Sequence, residues 1–387
     1  MSREWLSSAE AARRLGVSAA TLYAYVSRGL LRSEGTMGHR ERRYSADDVA
    51  SLKRRRDVGR KAESIAANAL DFGTPVLESQ LTLIENGRLY YRGQDAARLA
   101  RNSSLEQVAQ LLWDCDDKPF TATNLPPMSA ALRQAWLATT TLSTMDSCLI
   151  LLPAAARWDH PSWVDDRAAM LETGVRILRL LTAAVTGEPL SPLPIHEQLA
   201  AAWKVPTALA PLLRAALVLS ADHEFNTSAF AARVVASTGA NLYGSTLAGL
   251  AAINGPRHGG ATRAVAALFD ELKPAPALPG FGHPLYPDGD VRAATLFPMM
   301  HEALPRSPEL LGAEHLARTG EAMTNAKPNI DFATVTLERS LALPKDSALS
   351  LFLLGRTVGW IAHALEQAAH GALIRPRARY TGPRPPS

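Results

Sequence analysis

Lys327-Pro-Asn-Ile-Asp331 is the stretch on which the reading of this 387-residue chain turns. Its carboxylate stands behind a Pro-Asn pair and ahead of Phe-Ala-Thr-Val, where a helix can begin, so Asp331 taken alone could be no more than a helix cap. Working outward, Gly355-Arg356-Thr-Val-Gly-Trp360 follows it, and Gly255-Pro-Arg-His258-Gly-Gly and Gly280-Phe-Gly-His283 precede it. His258 could be a turn histidine, and Arg356 could sit on a helix flank. Together, two histidines, an aspartate and an arginine beside Gly or Pro turn residues form a set suited to acid–base chemistry on an anionic carbonyl compound.

The surroundings of these motifs read as helix. Tracts rich in Ala, Leu and Arg favour it, and the pattern predicts helices over Arg167–Thr186, Pro206–Ser220, Ala229–Ser237, Ala240–Ile253 and Leu349–Ala368. Before them, β-prone residues on both sides of Asn86-Gly87 predict a small hairpin. Ser104-Leu-Glu-Gln107 then caps a helix through Trp113. No run of period-two strands follows, which disfavours a Rossmann or barrel architecture.

A hydrophobic content of 47% over this length supports a large core and two or three domains. The two cysteines, Cys115 and Cys148, lack metal-ligand spacing, so neither a disulfide framework nor a metal is expected, and a reducing cytoplasm is the natural compartment. The N-terminus lacks an apolar signal core. Apolar runs such as Cys148 to Ala156 are too short to span a bilayer, so no membrane partner is expected.

Charge is unevenly spread. Residues 1–60 carry 13 Lys and Arg against 7 Asp and Glu, a net +6, while the remainder carries 28 against 30. A polyanionic partner is therefore sought at the N-terminal end. There, Leu6 to Leu15 reads as a short helix capped by Ser7 or Ser8 and ended by Gly16. Ser18 to Ser27 makes a second helix, and two helices around a tight Gly turn are the helix-turn-helix pattern. A basic hairpin-like stretch, Gly38 to Tyr44, follows. Ser45-Ala-Asp-Asp48 then caps a third helix ending in Lys53-Arg-Arg-Arg56. This order resembles a MerR-type winged helix-turn-helix. The resemblance implies duplex DNA as a partner, with Thr21, Tyr23, Tyr25 and Arg28 facing bases and Arg40, Arg42, Arg43 and Arg54–Arg56 on phosphates. The alternative is a docking or dimerisation module that kept the scaffold and lost DNA affinity.

From about Thr74 onward the chain resembles the citrate synthase family. The resemblance rests on the hairpin and helix at Leu81–Trp113, on Ala221-Asp-His223-Glu-Phe-Asn, on the His258 and His283 loops with Arg292, on Lys327 to Asp331, and on Gly355 to His363 with Ile374-Arg-Pro-Arg377. It implies an all-α, citrate synthase-like two-domain helical fold with a small N-terminal β-hairpin, preceded by the winged helix-turn-helix domain. The expected divisions are a head at 1–58, a connector at 59–73, a large domain at 74–254 and 346–387, and a small domain at 255–345. In the implied mechanism Asp331 abstracts a methyl proton from acetyl-CoA, His258 hydrogen-bonds the thioester oxygen, and His283 polarises the oxaloacetate carbonyl. His223, Arg292, Arg356 and Arg375 hold the substrate carboxylates. The last arginine reaches in from the other subunit, so a homodimer with shared sites is implied. Acetyl-CoA enters as a substrate and no cofactor is needed. 2-Methylcitrate synthesis from propionyl-CoA is the rival activity; a metabolite-sensing regulator is the rival from another class. Several positions depart from the family pattern: Arg257, Pro284, the Val in Asp290-Val-Arg292, and only 25 positions between His258 and His283. Asp114 to Val205 shows little match. The remaining histidines carry no role here. His363 and His370 read as structural, and His39, His160, His196, His301 and His315 as surface or loop residues.

Overall fold

In the head, strand Trp5–Ser7 leads straight into helix Ser8–Leu15, whose first turn is capped by the Ser7 side chain accepting from the Glu10 N–H. Gly16 ends the helix in the left-handed region at φ 62, returning its N–H to Ala12 and Arg13, as a Gly just past a helix end should. Helix Ala19–Ser27 follows. Strand Arg42–Ser45 lies between Trp5–Ser7 and Ser33–Gly35, antiparallel to both, and residues 46–53 are helical. A compact set including Leu6, Ala11, Leu15, Leu22, Leu31, Tyr44 and Val49 forms the core. The strand Trp5–Ser7, at three residues, was too short to show in the sequence.

This computed structural model describes residues 5–27, 30–35, 42–53, 77–121, 128–158, 166–270, 278–378 and 380–384. The expected connector at 59–73, the basic residues Arg28, Arg40 and Arg54 to Arg56, and His39 and His160 fall outside them. The chain divides into two units between Glu78 and Ser79.

The second unit opens with the predicted hairpin. Thr82–Glu85 pairs with Arg88–Tyr91 around Asn86 and Gly87, at φ 52 and φ 71, the geometry that Asn-Gly turns favour. A two-residue strand, Gln94–Asp95, extends the sheet. Helix Leu105–Trp113 carries the full Ser104/Gln107 capping box. Beyond it the described residues are helical apart from loops, turns and short 3-10 segments. Arg167–Thr186 matches its predicted bounds. Other ends move by local chemistry: the helix expected from Ala229 starts at Thr227 because Asn226 caps it, and the one expected from Pro206 begins at Ala210 after a 3-10 turn.

Helix Ser347–His370 is the post of this unit. Among the described residues it alone is long and apolar enough to cross a membrane, but every residue of its most apolar stretch is buried in protein. It exceeds the short apolar runs read from the sequence because Arg356 and His363 interrupt its hydrophobic pattern without interrupting the helix. Gly359 lets it approach the Ala221–Asp222 backbone: its N–H donates to the Ala221 carbonyl at 3.0 Å, and a Cβ there would lie 2.5 Å from that oxygen. The main core surrounds this helix. A second, smaller core of Val265, Leu268, Leu278, Ala313, Phe332, Val335 and Ala348 lies under helices Ala261–Asp270, Pro308–Thr324 and Ile330–Ser340.

Candidate active site

His223, His258, His283, Arg292 and Asp331 are each set by a helix end or the turn beside it. His223 lies between helices Ala210–Leu219 and Thr227–Ala236, and His258 in the turn joining Leu242–Ile253 to Ala261–Asp270. The His283 loop is stitched to the Asp331 loop by backbone bonds: Gly282 donates to the Lys327 carbonyl and Asn329 to the Gly280 carbonyl, both at 2.8 Å. Asn329, through its side chain, caps helix Ile330–Ser340 by accepting from the Asp331 and Phe332 N–H groups. That leaves the Asp331 carboxyl free of the capping role it could have had. Arg356 projects from the core helix.

These segments converge. The His223 and His283 rings meet edge-on with centroids 5.0 Å apart, and Tyr286 lies 5.5 and 5.2 Å from them. Arg292 is held by both carboxylate oxygens of Asp290, at 2.9 and 2.8 Å, and Asp290 also accepts from the Ile330 N–H at 3.0 Å. One buried carboxylate thus ties the cation to the loop bearing Asp331. Phe352 separates two further groups. The His258 ring meets its edge at 5.7 Å, and the Arg356 guanidinium lies 4.8 Å from its centre. His258 Nε2 is 2.7 Å from the Ser228 hydroxyl. Arg356 donates to the Ser220 carbonyl through Nε at 2.8 Å, while its buried Nη2 has no partner among the described residues.

Burial and the two arginines set the charge states. Burial, then Arg356 and Arg292, push His258 down to about 3. Burial, then Arg292, push His283 down to about 4, against an opposing pull from Asp290. Burial and the same cations hold His223 well below its ordinary range. At neutral pH all three rings are therefore uncharged. His283 Nδ1 accepts from the Leu285 N–H at 3.2 Å, so its proton sits on Nε2. Asp331 moves the other way: burial lifts it to about 6, with Arg292 and Arg356 restraining the rise and Asp290 adding to it. Arg356 falls to about 10 through burial and stays charged. Among the described residues no group of His, Cys, Asp and Glu is placed to hold a metal ion.

Not every candidate is in the cluster. Arg375 stands exposed on the irregular tail after His370, which is anchored nearby by the Ile374 N–H on Ser237 and by Gln367 donating to the Ala372 carbonyl, and no described contact joins Arg375 to the site. His196 corrects an expectation: it is buried, not on the surface, because helix Ile195–Ala202 turns it inward, and burial lowers its pKa. His301 and His315 are exposed. His363 is fully buried, 3.2 Å from Asp222, whose other oxygen accepts from Thr82 at 2.6 Å. Sequence reading passed over Tyr286, Asp290, Asp222 and Ser228; only the Asp-x-Arg spacing of Asp290 and Arg292 hinted at one of them. In the head, Thr21 Oγ1 lies 2.9 Å from the Ser18 hydroxyl, Tyr23 is exposed beneath the Arg42 guanidinium at 5.8 Å, Arg43 is exposed, and Tyr25 packs on the small core.

A family model described as the citrate synthase C-terminal domain matches residues 70–377, nearly the whole second unit. The chain belongs to the citrate synthase family. Family relatives include a citrate synthase from Mycolicibacterium smegmatis, 32% identical over 77% of this chain and 90% of the relative. A 2-methylcitrate synthase from Mycobacterium tuberculosis is 31% identical over 77% and 86%. The crystal structure of citrate synthase from Thermotoga maritima superposes with a TM-score of 0.68 at 27% identity, covering 81% of this chain and 96% of that one. A helix-turn-helix domain model matches residues 5–57.

Proposed function

We propose that the cluster condenses the acetyl group of acetyl-CoA with oxaloacetate to give citrate and CoA. The observation that carries this reading is the stitching of the His283 loop to the Asp331 loop by backbone hydrogen bonds, with the Asp331 carboxyl under the charge of two buried guanidinium groups, Arg292 and Arg356. Asp331 takes a methyl proton from acetyl-CoA, a weak acid whose enolate needs support as it forms. Uncharged His258 donates a hydrogen bond to the thioester oxygen where that charge develops. The carbon nucleophile attacks the ketone of oxaloacetate, polarised by the Nε2–H of His283, and the ketone oxygen becomes the product hydroxyl. Hydrolysis of the citryl thioester releases CoA. Arg292, Arg356 and His223 hold the carboxylates, and the unpartnered Nη2 of Arg356 is the donor a substrate oxygen would satisfy. Burying that cation without an anion is costly, which favours a dicarboxylate over a neutral ketone.

The test is thiol release on mixing the full chain with oxaloacetate and acetyl-CoA or propionyl-CoA. Release that needs both substrates supports the reading; none with either acyl-CoA overturns it. Faster turnover of propionyl-CoA would favour 2-methylcitrate synthesis, the activity named for several relatives. One methylene is worth only about 1–3 kcal/mol in such a pocket.

The active form we infer is a cytoplasmic homodimer in which Arg375 completes the partner's site, a role that fits its exposure outside the cluster of its own chain. For the head we infer binding to duplex DNA in the MerR manner. The net +6 of residues 1–60 and the exposed Tyr23, Arg42 and Arg43 support it.

A further inference from the structure

We infer that Tyr286 is a positioning residue: its hydroxyl fixes the tautomer of His223, so that His223 offers Nδ1–H to a carboxylate of oxaloacetate. The inference rests on the synthase reading for the identity of that ligand. Its geometry is independent of it.

Tyr286 Oη lies 2.9 Å from His223 Nε2, and the tyrosine is 1% exposed. Each partner then has limited choices. A phenol has one proton to donate, and burial raises the Tyr286 pKa, so the proton stays on. Its described hydrogen bond is the one to His223. Were Nε2–H the donor, the phenolic proton would be left in a buried place with no acceptor, a cost of about 1–3 kcal/mol. The phenol therefore donates, Nε2 accepts, and the neutral imidazole carries its proton on Nδ1. That nitrogen has no hydrogen-bond partner among the described residues. The opposite tautomer would turn a lone pair toward an anion and repel it.

The ring of Tyr286 is itself held. The Arg292 guanidinium lies 5.6 Å from its centre and the His283 ring 5.2 Å away. Its N–H donates to the His283 carbonyl and its carbonyl accepts from Gly289. The hydroxyl thus ties the loop bearing His283 to His223, sixty-three positions earlier in the chain.

Two measurements decide it. Nitrogen-15 spectra of histidine-labelled full-length protein, with His223 assigned by its loss in His223→Asn, should show the Nδ1–H tautomer at pH 7; an Nε2–H tautomer overturns the inference. Calorimetric titration with oxaloacetate should show Tyr286→Phe, which keeps the ring, weakening binding about 10- to 50-fold. In a His223→Ala background the same change should cost less than about 2-fold, since its effect passes through His223. Unchanged affinity, or an equal loss in both backgrounds, overturns it. A wild-type protein that binds oxaloacetate yet releases no CoA would sink the synthase reading and leave this test intact. One that binds no oxaloacetate sinks both.

Discussion

In the body, the groups assigned to the substrate carboxylates within one chain lie inside, with Arg356 1% exposed, Arg292 3% and His223 5%, and His258, His283 and Asp331 are half-buried. In the head, Tyr23, Arg42 and Arg43 lie on the outside of a small core. Buried charges act through a poorly screened medium, so each shifts its neighbours and none has a substitute. Exposed cations act in water and salt, where several contribute similar small amounts. One substitution should therefore cripple the body, whereas the head should lose function gradually.

The sharpest contrast comes from Asp331→Ala. Loss of the proton-abstracting base should lower kcat by at least ~10³-fold while oxaloacetate still binds. Near-normal turnover in the CoA-release assay would remove Asp331 from the role. For the head, about five phosphate contacts imply a slope of log K against log salt of roughly −4 to −5, so duplex affinity should fall several hundred-fold between 50 and 200 mM salt. Single changes at Arg42 or Arg43 should each flatten that slope by about one. A full-length protein without DNA affinity at low salt would leave the head as a docking module.

The next test asks whether the body is complete in one subunit. Arg375→Ala and His258→Ala proteins, each inactive, should on subunit exchange recover up to about a quarter of wild-type activity, because half the dimers would hold one intact site. Proven exchange with no recovery would reject the shared site.

A smaller effect separates buried from exposed carboxylates by pH. Asp331 titrates at about 6 instead of the ordinary 3.8, so the native state favours its protonated form. Its stabilising contribution is complete below about pH 4 and is lost as pH rises through 6. Asp331→Asn should therefore be more stable than wild type by up to about 3 kcal/mol at pH 8, with the advantage gone below pH 4. Denaturant titration at the two pH values checks this, and kcat/KM of the wild type should drop on the acid side near pH 6. The smallest expected effect is removal of residues 1–60: DNA binding should vanish, with kcat and oxaloacetate KM unchanged within about 2-fold. Loss of activity would show that the head supports the enzyme.

Much of this contrast was legible in the residues. Asn86-Gly87 and Ser104/Gln107 carry their conformations locally, and His258, His283, Asp331 and Arg356 each belong to a motif that names its own turn or helix. Tyr286, Asp290 and Asp222 had no such label. Their importance lies in partners 63, 40 and 141 positions away, and one sequence carries no sign of which distant group a buried hydroxyl or carboxylate will meet. His196 was misplaced for the same reason: a helix face is assigned inward or outward only by what packs on it. Strands Trp5–Ser7 and Gln94–Asp95 were too short for any alternation to register.

The post at the centre of the body has a consequence for synthesis. Ser347–His370 is translated after the 268 body residues that precede it, many of which pack around it, roughly 15–55 s of elongation at ordinary rates. Throughout that time the surfaces meant for it have no occupant, and holdase chaperones are the natural cover. When the segment emerges, its mean hydropathy of 1.4 would make it a client for membrane insertion. Arg356, near its middle, opposes that fate by about 2.5–3.5 kcal/mol. The guanidinium assigned to substrate thereby also directs the nascent helix away from lipid and back to its own protein.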